Sequence, residues 1–194
     1  MRFSVSVSVL VLCSGLLAAQ DRTKPASHSE YTHRHNELTL AGLRPGRDTI
    51  TKAVRQYRLK SAGDNETAMS WHDKCQDLDL YVNVDKTGKI ESVRISQSDT
   101  GNLIECYYKD SFKPWWVTGN KLSLRDTASR VTDIYGKPDS RSPSTKGGQQ
   151  LELLYYAFDW AGPEVPQVME VLCTPEKDGK PGRVVEITLA GPSL

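Results

Sequence analysis

Two stretches of the chain carry apolar residues at helical spacing. Ile50, Ala53, Val54 and Tyr57 fall at i, i+3, i+4 and i+7, while Lys52, Arg55 and Gln56 take the other side. Ala128, Val131, Ile134 and Tyr135 mark a second helix, and Gly136 followed by Pro138 stops it. The same three residues precede both helices, Arg47-Asp48-Thr49 and Arg125-Asp126-Thr127, 78 positions apart. Tyr57 and Tyr135 keep that offset. Aspartate caps helices well, so Asp48 and Asp126 are the expected N-caps.

After each helix the period changes from 3.6 to 2. Leu78, Leu80, Val82 and Val84 alternate with polar residues, Asp85-Lys86-Thr87-Gly88 makes a turn, and Ile90–Ile95 returns. Asn83, Asp85 and Thr87 resemble part of a calcium loop. Arg94 stands where a bidentate Glu would be needed, and the flanks alternate like strands, so a hairpin is the better reading. Ala68–Trp71 and Leu103–Tyr108 read as further strands. In the second half, 139–148 is rich in Ser, Pro and Gly and reads as a loop. Leu151–Phe158, Val168–Cys173 and Val184–Leu189 read as strands. A repeat of this kind sets the architecture before any motif does. It predicts an α+β fold of two tandem units, residues 37–110 and 111–194, each a short helix packed on a small antiparallel β-sheet.

Residues 1–19 read as a signal peptide. Arg2 opens it, Val5–Leu17 is apolar but broken by serines, and small residues precede Gln20. The apolar run is too short for a membrane span, and no transmembrane segment is expected elsewhere. The expected destination is secreted or periplasmic. Residues 20–36 are polar, hold His28, His33 and His35, and read as a flexible arm. The whole chain has 25 Lys and Arg against 24 Asp and Glu, and Arg2 is the one base of the signal. The balanced remainder argues against a nucleic-acid partner. Cys75, Cys106 and Cys173 survive processing. An oxidising compartment favours one bridge, and Cys75–Cys106 is the preferred pair because both lie in the first unit. Spacing alone does not fix the pairing.

Thr118-Gly119-Asn120-Lys121-Leu122-Ser123-Leu124-Arg125-Asp126-Thr127, followed by Val131, Tyr135-Gly136 and Pro138, resembles a segment of exported bacterial proteins. Gly42–Thr49 with Val54 and Tyr57 is a worn copy. The segment is similar to the SmpA/OmlA-like superfamily, including its tandem-repeat β-lactamase inhibitor branch. The resemblance implies helical pieces packed on small antiparallel sheets. Lys121 and Arg125 stand where that pattern prefers glycine. The family's functional residues have no counterparts here, so its activities do not carry over.

No nucleophile motif and no H-E-x-x-H is present, and the reading is of a non-enzyme that needs no cofactor. The aromatic doublets are the candidate partner-binding residues: Tyr107 and Tyr108, Trp115 and Trp116, Tyr155 and Tyr156. Strand neighbours point to opposite faces, so one ring of each pair would be core and the other exposed. Exposed Tyr and Trp anchor protein interfaces. His28, His33 and His35 are a weaker candidate metal set. The leading expectation is an exported binding module contacting a protein or envelope component through an aromatic-bearing sheet face. The alternatives are a structural envelope protein without a specific ligand and a metal-binding exported protein. Oligomeric state is not readable from the sequence.

Overall fold

The structure, a computed structural model, describes residues 37–57, 60–61, 67–73, 75–98, 116–158 and 167–191. Two helices are present among them, α1 (Ile50–Tyr57) and α2 (Ala128–Tyr135). The strands are β1 (Lys60–Ser61), β2 (Ala68–Asp73), β3 (Leu78–Val84), β4 (Ile90–Gln97), β5 (Ser140–Lys146), β6 (Gln149–Phe158), β7 (Gln167–Cys173) and β8 (Val184–Ala190).

The expectation of two small sheets is overturned. All strands belong to one antiparallel sheet in the order β1-β2-β3-β4-β8-β7-β6-β5. β1 has only two residues, so seven strands carry the sheet. The joint is the pairing of β4 with β8, centred on Arg94 opposite Thr188. Each would otherwise be a bare edge strand of its own half, with unpaired backbone groups. Pairing them satisfies those groups and merges the two cores.

The repeat is nevertheless written into the hydrogen bonds. Ile90 N–H donates to Asp48 O and Val184 N–H to Asp126 O, both at 2.9 Å. Ile50 N–H donates to Gly88 O and Ala128 N–H to Gly182 O, again at 2.9 Å. A register shift lies at Asn83/Val84 in one hairpin and at Leu172/Cys173 in the other. The segments before the helices meet each other as well. Leu40 bridges Thr118, with Ala41 N–H on Val117 O and Gly119 N–H on Thr39 O, both 3.0 Å. Equivalent positions thus pair across a local two-fold.

Both helices end as the pattern predicts, on a buried tyrosine. Eight-residue helices are too short to be stable alone, so packing holds them. Tyr57 lies 5.8 Å from Trp71, and Tyr135 lies 5.7 Å from Tyr156. Val54, expected on the apolar face of α1, is 37 % exposed. Ala53 and Tyr57 are the buried residues of that stripe, with Ile50 partly buried against the core.

The expected aspartate caps are corrected. Thr127 is the N-cap of α2, and its hydroxyl accepts from Arg130 N–H at 3.2 Å. Asp126 turns backwards and accepts from Ser123 N–H at 2.9 Å. Asp48 likewise accepts from Arg44 N–H at 2.7 Å. Both aspartates close the loop that precedes the helix. The 139–148 loop is also corrected. Ser140–Lys146 is a full strand paired with β6. It lies at the sheet edge, where Pro143 is tolerated because the outer side has no ladder to lose. The 85–89 turn is as expected. Asp85 accepts from Thr87 N–H at 2.8 Å and Lys89 N–H at 3.0 Å. These bonds, with the Thr87 hydroxyl foremost, hold its carboxyl below the usual range.

Candidate functional site

Alternation gives the sheet two unlike faces. One carries Trp71, Leu80, Ile95, Ile187, Val171 and Leu154 in a row across six strands; Tyr57 packs on Trp71 at one end, and Tyr135 packs on Tyr156, two residues along β6 from Leu154. The other face has no described helix on it. Its central row reads Ser70, Tyr81, Arg94, Thr188, Glu170, Tyr155 and Ser140, from β2 to β5. Tyr81, Arg94, Thr188 and Tyr155 are half-buried, and Glu170 and Ser140 are exposed.

The charges of this face fall into two groups. Some have a partner in place: Lys146 Nζ lies 2.8 Å from Glu186 Oε2, and Asp79 Oδ1 lies within hydrogen-bond distance of His72 Nδ1, at 2.8 Å. Arg94 and Glu170 have no ion-pair partner among the described residues. The Arg94 guanidinium sits 4.3 Å from the centre of the Tyr81 ring, and its Nε is buried without a hydrogen bond. A stacked guanidinium is held flat and ready for a planar acceptor such as a carboxylate.

His72 stands at one end of this face, beside a tight turn. Asp73 Oδ1 accepts from Cys75 N–H at 2.9 Å and Gln76 N–H at 3.2 Å, and Arg125 donates to Gln76 O at 3.2 Å. Cys75 is half of a disulfide. Its expected partner Cys106 lies outside the described residues. Cys173 is a free, buried thiol, pushed up to about 12 by burial.

A second polar cluster holds the fold together. Glu37 is 1 % exposed. Oε1 accepts from Thr39 N–H (3.1 Å) and Gly119 N–H (2.7 Å), and Oε2 accepts from Asn120 N–H (3.1 Å), Asn120 Nδ2 (2.9 Å) and the Tyr135 hydroxyl (2.6 Å). Every lone-pair direction of this carboxylate is used, as a buried charge requires. Burial first, then the Glu37 charge, raises the pKa of Tyr135.

The expected partner-binding residues separate sharply. Trp116 is 4 % exposed and packs on Trp71 at 5.2 Å, so its ring belongs to the core. Tyr156 is fully buried and donates to Gly136 O at 3.1 Å. Both are corrected from candidate surface anchors to core. Tyr155 is half-buried on the face that no described helix covers. Trp115, Tyr107 and Tyr108 lie outside the described residues, as do His28, His33 and His35. Tyr81 and Arg94 were missed because neither belongs to a doublet; the signal was their polar-face position in alternating strands. Two adjoining surface depressions, of about 590 and 400 Å³, lie at the β5–β6 turn and share Gln150 and Pro175. Among the described residues no cluster of three or more His, Cys, Asp or Glu is arranged to hold a metal. No helix among them is long and apolar enough to cross a membrane.

No protein family matches the sequence, and no curated protein does. Solved structures give distant similarity. A DUF4309 family protein, YjgB, from Bacillus subtilis is 12% identical, with a TM-score of 0.42 over 83% of this chain and 89% of that one. A cysteine-rich secretory protein, SAV1118, from Staphylococcus aureus is 10% identical, with a TM-score of 0.39 over 82% of this chain. The match spans 48% of that protein's length.

Proposed function

We propose that this chain is an exported, non-enzymatic binding module that contacts a protein or envelope component through the helix-free face of its sheet. The observation that carries the reading is the central row, where Tyr81, Arg94 and Tyr155 stand together on a face that no described helix covers. Tyrosine and arginine bring large contact area and directional polar groups to interfaces. Arg94 adds a charge with no ion-pair partner among the described residues. Export rests on the signal-like residues 1–19, and Cys75–Cys106 is the proposed bridge of the exported form.

The test is site-specific photocrosslinking in the native envelope. Photoreactive phenylalanine analogues at positions 81 and 155 should each trap a discrete adduct. An analogue at Thr87, in the β3–β4 turn, should trap none. Equal labelling from all three positions, or none from the first two, would sink the proposal.

A further inference from the structure

The helix-free face is self-complementary, and the complement is set by the sheet's own strand order. β8 is the middle of the seven long strands, with β2, β3 and β4 on one side and β7, β6 and β5 on the other. A two-fold axis running along β8 is therefore the one that lays all seven strands over those of a second copy. Such an axis reverses the central row about Thr188. It opposes Arg94 to the second copy's Glu170, Glu170 to its Arg94, and Tyr81 to its Tyr155.

We propose that the occupant of this face is a second copy of the chain, in a face-to-face dimer. The inference rests on the binding-face reading above. The two charges left without an ion pair are of opposite sign and equidistant from the central strand, one strand away on either side. A closed two-fold interface needs this arrangement, in which residue i meets j and j meets i. Shifting the axis to the β4–β8 joint would instead oppose Arg94 to Thr188 and Tyr81 to Glu170, leaving both charges unmatched. Sheets packed face to face lie about 10 Å apart and roughly 30° from parallel, within reach of Arg and Glu side chains. A polyanionic surface fits less well, because Glu170, Asp79 and Glu186 share the face with Arg94. Six strand spacings of about 4.8 Å, over five residues of about 3.4 Å each, offer roughly 500 Å² per copy. About 1,000 Å² in total is near the lower limit for a specific interface, so dissociation in the micromolar range is expected.

Sedimentation equilibrium of the mature full-length protein tests this. The wild type should be a reversible dimer. Arg94→Glu and Glu170→Arg should each weaken it at least tenfold, and the double variant should recover to within about threefold of wild type. Thr188→Arg, which sets like charges against each other on the axis, should weaken it independently. Circular dichroism confirms that each variant is folded. A monomer at the highest soluble concentration, a dimer indifferent to the single reversals, or a double variant without recovery would overturn the proposal. The binding-face reading fails separately: a monomer whose position-81 probe still traps another protein retains the face and loses the dimer, whereas absence of any adduct removes both.

Discussion

Tyr135 donates its hydroxyl to Glu37 across 98 positions of the chain, at 2.6 Å. This bond ties the segment that opens the fold to the end of the second helix. Tyr135→Phe leaves the carboxylate with one donor fewer in a buried site. The expected loss is about 1.5–3 kcal/mol, the range for a hydrogen bond to a charged group, read from urea denaturation. Thr118→Val removes another partner of that hydroxyl and also leaves Leu122 N–H, which donates to the Thr118 hydroxyl at 3.1 Å, without its acceptor in a buried site, so it should cost about 1–3 kcal/mol.

Alkaline pH should weaken the fold through its buried tyrosines. Burial pushes Tyr57 up to about 12, from 10.0. The folded state therefore favours the protonated phenol. Its contribution is complete below pH 10 and is lost as pH rises from 10 towards 12, about 2–3 kcal/mol in all for a two-unit shift. Tyr135 is shifted in the same direction. Tyr57→Phe should flatten the fall in stability over that window. A denaturation series between pH 8 and 12 measures it, and an unchanged slope would contradict the assignment.

Trp116→Ala is expected to destabilise the fold by about 3–5 kcal/mol, the usual range for deleting a large buried ring. It is therefore a test of folding and not of binding. Tyr155→Ala, on the helix-free face, should change stability by well under half as much. Thermal melts of the two variants give the comparison.

Lys121 and Arg125 hold φ of 68° and 71°, a backbone region costly for residues with a side chain. Lys121→Gly relieves that strain and should stabilise by about 0.5–1 kcal/mol, net of glycine's greater freedom when unfolded. At Gly182 the effect reverses, because an added Cβ would collide with the Thr174 carbonyl oxygen. Gly182→Ala should cost at least about 2 kcal/mol. Denaturant midpoints with unchanged slope would establish both.

Pro143 lies mid-strand in β5, at the open edge of the sheet. A proline there denies a neighbouring chain one backbone donor. Pro143→Val should leave the melting temperature near wild type but raise light scattering on prolonged incubation.

What the sequence disclosed was local. The helices were legible because Ala53, Tyr57, Val131 and Tyr135 recur at helical spacing, and β3 because four apolar residues alternate. The pairing of β4 with β8 was not, since nothing in either strand distinguishes an edge from a seam. Asp48 and Asp126 were misjudged because aspartate and threonine both cap helices, and adjacency decides nothing when one can fold back. β5 was hidden by its serines and proline, residues that an edge strand accepts. Glu37 gave no pattern at all, being one acidic residue with four of its five donors supplied by Gly119, Asn120 and Tyr135, more than eighty positions away. The candidate face was half legible. Tyr155 was singled out, while Tyr81 and Arg94 become a site only when strand register sets them side by side.

β8 follows every other strand in chain order, yet it lies at the centre of the sheet. Until it is in place β4 and β7 have no common neighbour, and the two halves of the sheet remain unjoined. Its pairing with β4 spans more than ninety positions for most of its partners, the kind of distant closure that slows folding. The protein therefore has a clock. As the chain emerges, its half-made sheet waits with two bare edges, and this interval is when aggregation or a chaperone would find it.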